Sequence, residues 1–399
     1  MKKPGIGVLT TFIVILVFLG VGVVASILSD MISAQAKKTS EEAQADKVTL
    51  SFVYAYQNQE WAEAISESVL RFEEEYPDII IDAKPQYENI TYDATLCKLY
   101  ARAELGDIVQ MKTPFYYAEC GALGAITKDV YDDVKEDARY VKDGAVFGLS
   151  AVATTTGVIY NKALFDRYGL EEPKTYDEFL ELCETLKNNG ETPLLFAGAD
   201  FWHSEYLLNH FMHTGDTIDE AADKIGYLIK KGYVNPEWQT TYDGQIAYSM
   251  SQGKAAMVCT GCTTVKELLD QAPDYDFGWF YLPDRDGNVT ITDTKDAFLC
   301  ITRECELDEQ RYQAAETFLK FFYSDENYTQ VLKKLYAISV TSFETDTLGD
   351  GIYEDIADGY SSNKRKTSYL GDETYEQQYE TEMLRKIHEQ LVEVADERR

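Results

Sequence analysis

Residues 5–29 (GIGVLTTFIVILVFLGVGVVASILS) carry no charged side chain and follow Lys2 and Lys3. An apolar run of this length suffices to cross a ~30 Å hydrocarbon core as a helix. The two lysines favour a cytoplasmic N-terminus, so everything after Asp30 is expected outside the cytoplasmic membrane. Chemistry that draws on cytosolic nucleotides or nucleic acid is therefore disfavoured. The length of the run speaks for a retained signal-anchor over residues 1–36, while Ala34-Gln35-Ala36 offers an A-x-A cleavage site that would free the chain. No cysteine precedes Cys97, so a lipid-modified cysteine at the end of this segment is not expected. Residues 37–46 (KKTSEEAQAD) are small and polar, a flexible spacer reaching about 17 Å as a coil.

The rest of the chain is long enough for two lobes rather than one ordinary core. A net charge of -32 argues against nucleic acid as partner and against adhesion to anionic lipid, both of which want a basic surface. Acidity by itself names no substrate. The seven cysteines are odd in number and scattered. Cys259 and Cys262 have C-x-x-C spacing, but no second pair or neighbouring histidine completes a zinc set, so they read as buried thiols. His203, His210 and His213 fall on one expected helix, and the pattern supplies no acidic partner for a metal there. No metal and no cofactor is implied.

Val48 to Tyr56 is rich in β-branched and aromatic residues and reads as a buried strand. Ala62, Ile65, Val69 and Phe72 then recur at helical spacing up to Tyr76-Pro77, and Ile79 to Ile81 reads as a second strand. This β-α-β opening predicts a parallel sheet covered by helices, an α/β fold. Further helices are expected at Ala94–Leu105, Tyr176–Asn188, Gly244–Gln252, Glu309–Tyr323, Asn327–Leu335 and Glu373–Asp396. Strands are expected at Asp107–Met111, Phe147–Leu149, Val158–Tyr160, Thr192–Phe196, Ala255–Thr260 and Phe277–Leu282. Pro283 to Asn288 resembles the start of a calcium loop, but Lys295 stands where the closing acid should be, so a hairpin tip is the better reading. No nucleophile elbow, phosphate loop or H-E-x-x-H motif occurs.

Several short motifs lie in a familiar order. They begin with Phe72-Glu-Glu-Glu-Tyr76-Pro77-Asp-Ile79, Gly106-Asp107-Ile108, Gly121-Ala122-Leu123 and Val146-Phe147-Gly148-Leu149. Tyr160-Asn161-Lys162 and Tyr168 to Phe179 follow. Gly190 to Leu194, Gly253 to Met257 with Gly261, and Leu282 to Gly287 complete the series. Collinear from Val48 to about Ser342, the set resembles extracellular solute-binding proteins of family 1, the sugar-binding component of ABC importers.

The resemblance implies a periplasmic-binding-protein-like type II fold, with two α/β lobes joined by a hinge and a ligand cleft between them. Lobe 1 is expected at 47–153 plus about 289–340, and lobe 2 at 154–288 plus about 341–399. The cleft should lie outside the carboxyl ends of the parallel strands. By position in the motifs, the ligand-binding candidates are Gln57, Asn58, Lys112, Thr113, Thr154, Asp200, Trp202, Gly261, Thr263, Asp296 and Phe298. Carboxylates and amides suit sugar hydroxyls, and an aromatic ring suits the apolar face of a pyranose. Trp202 reads equally as platform or as core; Trp61 and Trp279 read as structural, and Tyr160-Asn161-Lys162 as a fold landmark.

The implied protein is a monomer that captures a mono- or oligosaccharide and presents it to ABC permease subunits, without making or breaking a bond. It would be held at the membrane by the N-terminal segment. The open alternatives are iron held by Tyr116 and Tyr117, a polyamine held by acidic groups, an extracellular carbohydrate-active enzyme, and a ligand sensor.

Overall fold

The computed structural model describes residues 47–56, 59–86, 92–112, 114–343, 351–367 and 377–396. The apolar leader, the spacer and the candidates Gln57, Asn58 and Thr113 lie outside these residues.

The β-α-β opening forms as its pattern dictates. Strand β1 (Val48–Ala55) leads to helix Gln59–Glu75, whose Trp61, Ile65, Val69 and Phe72 are buried, and strand β2 (Ile79–Gln86) returns parallel to β1. Helix Tyr92–Ala101 ends earlier than its apolar spacing implies, because Ala103 adopts φ +57° and turns the chain into Gly106 and β3 (Ile108–Met111). β3 lies beside β1 in parallel register.

Beyond β4 (Arg139–Lys142) the structure departs from the strand pattern in the sequence. β5 is one strand of 17 residues, Ala145–Asn161, where two short strands are expected. Its middle, SAVATTTG, is built of small and threonine side chains that give no apolar alternation. Burial there is possible because larger rings cover the backbone. Tyr323 Oη donates to the carbonyls of Leu149 and Ser150, and Tyr328 Oη donates to that of Ala151. β6 shrinks to Leu194–Leu195, followed by β7 (Met257–Gly261), β8 (Phe277–Phe280), β9 (Thr290–Ile301) and β10 (Lys364–Thr367).

These strands form one sheet in the order β2-β1-β3-β9-β5-β7-β6, with β10 on β9 and with β4 and β8 on β5. The segment Pro283–Asn288 is thus not a hairpin tip, because β8 and β9 each pair with β5 and not with one another. It is a turn folded on Asp284, whose Oδ1 accepts the backbone N–H of Asp286 and of Asn288.

Three buried clusters back the sheet. The first joins Leu50, Phe52, Phe72, Phe318 and Phe322 to Val265, Trp279 and Tyr353, and so runs without a break across the expected boundary at 153/154. The second gathers Phe179, Phe196, Phe211, Leu228 and Trp238 under the C-terminal helix Gln377–Asp396 through Leu384, Ile387 and Leu391. The third packs Val53, Leu96, Val109 and Met111 around Cys300.

Candidate functional site

β5 changes partners halfway along its length. From Leu149 to Thr155 it pairs with β9, ending at Thr154↔Thr294 and Thr155↔Asp293; from Thr156 onward it pairs with β7, beginning at Thr156↔Gly261. The point of handover is a topological switch, the place where an open α/β sheet leaves a crevice at its edge. A cleft of about 350 Å³ opens there, with Thr154, Thr155, Thr156 and Thr294 on its floor. That volume falls at the lower end of the usual range for small-molecule sites.

Each wall comes from a different part of the chain. On one side stand Glu60 and Trp61 from helix Gln59–Glu75, Lys112 after β3, and Leu335 and Ala337. On the other stand Trp202, Glu205, Tyr206 and Asn209, with Gly261, Thr263, Lys266 and Glu267 after β7. Asp296 enters from β9. There φ at Ala297 is +55° and the β5 ladder lapses, so Asp296 Oδ1 accepts the Ala297 N–H and the carboxyl turns into the cleft.

Of the candidates read from sequence, Lys112, Thr154, Trp202, Gly261, Thr263 and Asp296 line this one cleft. Two described candidates do not. Asp200 is turned away to accept the Asp243 N–H on its Oδ2 at 2.7 Å. Phe298 pairs with Met111 and packs against the third core cluster, because it lies two residues past Asp296 and beyond the break at Ala297. Trp202 is 36 % exposed and belongs to the cleft wall. Trp61 is buried, and its indole N–H donates to Gln110 Oε1 at 3.1 Å, yet the ring still forms part of the wall. Trp279 is core. Asn161 caps the helix Lys162–Tyr168 by accepting the Leu164 N–H, the role of a fold landmark.

Glu60, Glu205, Tyr206, Asn209, Lys266 and Glu267 have no counterpart among the candidates. For the helix Glu205–His213 a signal was available, since Glu205 and Asn209 stand one turn apart and Asn209 Nδ2 donates to Glu205 Oε1 at 3.2 Å. Glu60 and Glu267 approach from opposite walls. Partial burial, then the charge of Glu60, raises the Glu267 pKa above the ordinary carboxylate value.

Behind Trp202 the polar groups are enclosed. The His203 ring meets Phe196 and Tyr206 edge-on, and its Nε2 lies 3.9 Å from Asp243 Oδ1. Burial pushes His203 down to about 3, so its ring is neutral. Burial first, then the charges of Asp200 and Glu267, raise Asp243 to about 6. His203 sits on a 3-10 turn, Phe201–Ser204, rather than on the helix that carries His210 and His213. His210 is held neutral by burial, and His213 Nδ1 lies 3.5 Å from Thr292 Oγ1. Cys259 and Cys262 are buried, as their pattern implies.

A family model described as bacterial extracellular solute-binding protein matches residues 55–329. The multiple sugar-binding protein of Streptococcus mutans is 23 % identical over 332 residues, covering 75 % of this chain and 76 % of that protein. Among solved structures, a chitin oligosaccharide binding protein superposes with a TM-score of 0.74 at 20 % identity, covering 88 % of this chain and 99 % of the other. An ABC-transporter binding protein from Bifidobacterium animalis subsp. lactis, in complex with mannobiose, gives 0.69 at 19 % identity, covering 90 % and 92 %. The type II periplasmic-binding fold implied by the motifs is the fold observed.

Proposed function

We propose, from the premise that this chain belongs to the bacterial extracellular solute-binding protein family, that it captures a mono- or oligosaccharide for an ABC permease. The observation that carries this reading is the composition of the cleft at the β5 handover. One exposed indole, Trp202, stands among carboxylates, hydroxyls and an amide, the pairing that a pyranose with one apolar face and a rim of hydroxyls requires. Relatives and structural neighbours named for multiple sugars, chitin oligosaccharide and mannobiose support the same ligand class.

In this reading residues 47–153 with about 289–340 form one lobe, and 154–288 with about 341–399 the other. Thr154 to Thr156 and Thr294 lie at the hinge, and closure brings the Glu60 and Trp202 walls together over the sugar. No bond is made or broken. The protein works outside the cytoplasmic membrane as a monomer, tethered by residues 5–29. An intact mass of the mature chain that begins after Ala36 would refute the tether.

Isothermal titration of the purified chain against a panel of neutral mono-, di- and oligosaccharides, with chromatography of the recovered sugar, tests the core of the proposal. Saturable binding with the sugar returned intact is expected. Cleaved product, or tight binding only to Fe(III) or to a polyamine, would overturn it.

A further inference from the structure

The stretch from Lys334 to Ile338 is fastened to one wall of the cleft at both ends. Lys334 Nζ lies 2.8 Å from Glu63 Oε2 and 2.8 Å from Glu67 Oε1, on the helix that carries Glu60 and Trp61. Ile338 exchanges backbone hydrogen bonds of 2.9 and 3.0 Å with Ala153, in the half of β5 that pairs with β9. Between these anchors Leu335 and Ala337 line the cleft, and the Tyr336 ring turns to other partners.

Both partners come from the opposite side. The Tyr336 ring stacks on Tyr353, with centroids 4.3 Å apart and planes inclined by 21°. Lys266 Nζ, paired with Asp270 one turn on, stands 5.8 Å from the centre of the Tyr336 ring, within cation–π reach. Lys266 lies on helix Thr264–Gln271, which follows β7. Tyr353 lies on helix Ile352–Ser362, whose Ile356 carbonyl accepts from Tyr281 Oη, just past β8, at 2.9 Å. β7 and β8 both pair with the far half of β5. In the lobe division proposed above, Tyr336 therefore belongs to one lobe, and Lys266 and Tyr353 to the other.

Local structure opposes this contact. Tyr336 ends its helix at φ +50° and ψ +38°, a left-handed conformation that suits glycine and that a bulky residue rarely adopts. Tyr353 is buried, and its Oη has no hydrogen-bond partner among the described residues. Strain of this kind persists where surrounding contacts hold it and collects at ligand clamps and switches.

We propose that Tyr336 is a latch between the lobes: seated on Tyr353 beside the Lys266 ammonium, its ring biases the ligand-free chain toward a closed cleft. Hinge opening draws the ring off both partners, so their attraction counts only in the closed state. A sugar that binds the closed state then loses apparent affinity in proportion to the closed population that is lost. The latch presupposes the two-lobed capture proposed above and adds to it a residue that tunes affinity from outside the cleft lining.

The test compares wild type with Tyr336→Gly, which suits the left-handed backbone and removes the ring, and Tyr336→Phe, which keeps the ring. Small-angle X-ray scattering without sugar is expected to give a larger radius of gyration for Tyr336→Gly and the wild-type value for Tyr336→Phe. Lys266→Met, read only without sugar because Lys266 lines the cleft, should shift the same way as Tyr336→Gly and carries the test if the glycine variant fails to fold. Any sugar of the neutral panel that wild type binds should bind Tyr336→Gly roughly 3- to 10-fold more weakly in calorimetric titration. An unchanged radius of gyration in folded Tyr336→Gly or Lys266→Met, or a Tyr336→Phe protein as expanded as Tyr336→Gly, would overturn the latch. Should wild type bind no sugar of the panel, the capture reading falls, and the sugar-free scattering still decides the latch.

Discussion

Asp293 stands one residue before cleft-lining Thr294, and its two carboxylate oxygens accept from Lys295 Nζ at 2.7 and 2.8 Å. Both side chains are 10 % exposed. Tyr360 and Arg365 face the same carboxylate. Lys135 is a third cation in the group, its pKa lowered chiefly by burial, with the charges of Lys295 and Arg365 adding to the effect. Replacing Asp293 by Asn therefore removes the anion on which these cations converge, leaving Lys295 with Asp137 at 3.4 Å.

A unit pair 2.7 Å apart attracts by about 6 kcal/mol at an effective dielectric of about 20. Desolvation cancels part of that, and removing one partner of a buried pair costs about 3–5 kcal/mol. Because Asp137 remains in contact, the expected loss for D293N is near the lower end, about 3 kcal/mol. Lys295→Met should cost less, about 1–2 kcal/mol, because Arg365 and Tyr360 still face the carboxylate. Urea unfolding midpoints for both variants, at neutral pH and low salt, provide the measurement. A D293N loss below about 0.5 kcal/mol, or a K295M loss equal to it or larger, would refute the reasoning.

Trp202→Ala should weaken sugar binding by roughly 5- to 30-fold, the loss of about 1–2 kcal/mol of aromatic contact, with the circular dichroism spectrum unchanged; unaltered affinity in titration would remove Trp202 from the site. Asp243 titrates near 6 in the folded chain, above the ordinary carboxylate value, so its contribution to stability is full below pH ~4 and is lost as pH rises through 6. Asp243→Asn should abolish that slope and gain about 1–2 kcal/mol at pH 7, and parallel stability-against-pH curves for the two proteins would contradict this. A Cβ at Gly157 would meet the buried Trp279 ring at 2.3 Å, so Gly157→Ala should cost about 2–3 kcal/mol and shift tryptophan fluorescence. A midpoint equal to that of wild type would mean the ring has room to move.

Where the fold was legible in sequence, the signal was local and repeated. Helix Tyr176–Asn188 was readable to the residue because Thr175 caps it and Phe179, Leu182 and Leu186 recur on one face. The middle of β5 was not, because its burial depends on Tyr323 and Tyr328, which arrive from more than 170 residues away. No pattern within Ser150–Gly157 encodes that cover.

The same distinction runs through the cleft. Thr154, Gly261 and Asp296 could be placed from their positions in the motifs, and the sheet holds all three, Thr154 within β5, Gly261 at the end of β7 and Asp296 within β9. Side chains on helices carry no such address. A carboxylate facing a cleft and one facing bulk water leave the same polar position in a helical repeat, so nothing in the local sequence marks Glu60 or Glu267.

Asp200 and Glu205 show how little backbone separates the two outcomes. The 3-10 turn Phe201–Ser204 carries one further turn of chain between them, which leaves Asp200 to accept the Asp243 N–H and delivers Glu205 to the cleft beside Asn209. The residue types expected at that wall, a carboxylate and an aromatic, are both there. The turn decides which carboxylate supplies the first of them, and Asp200 is held instead by the Asp243 amide, 43 residues on.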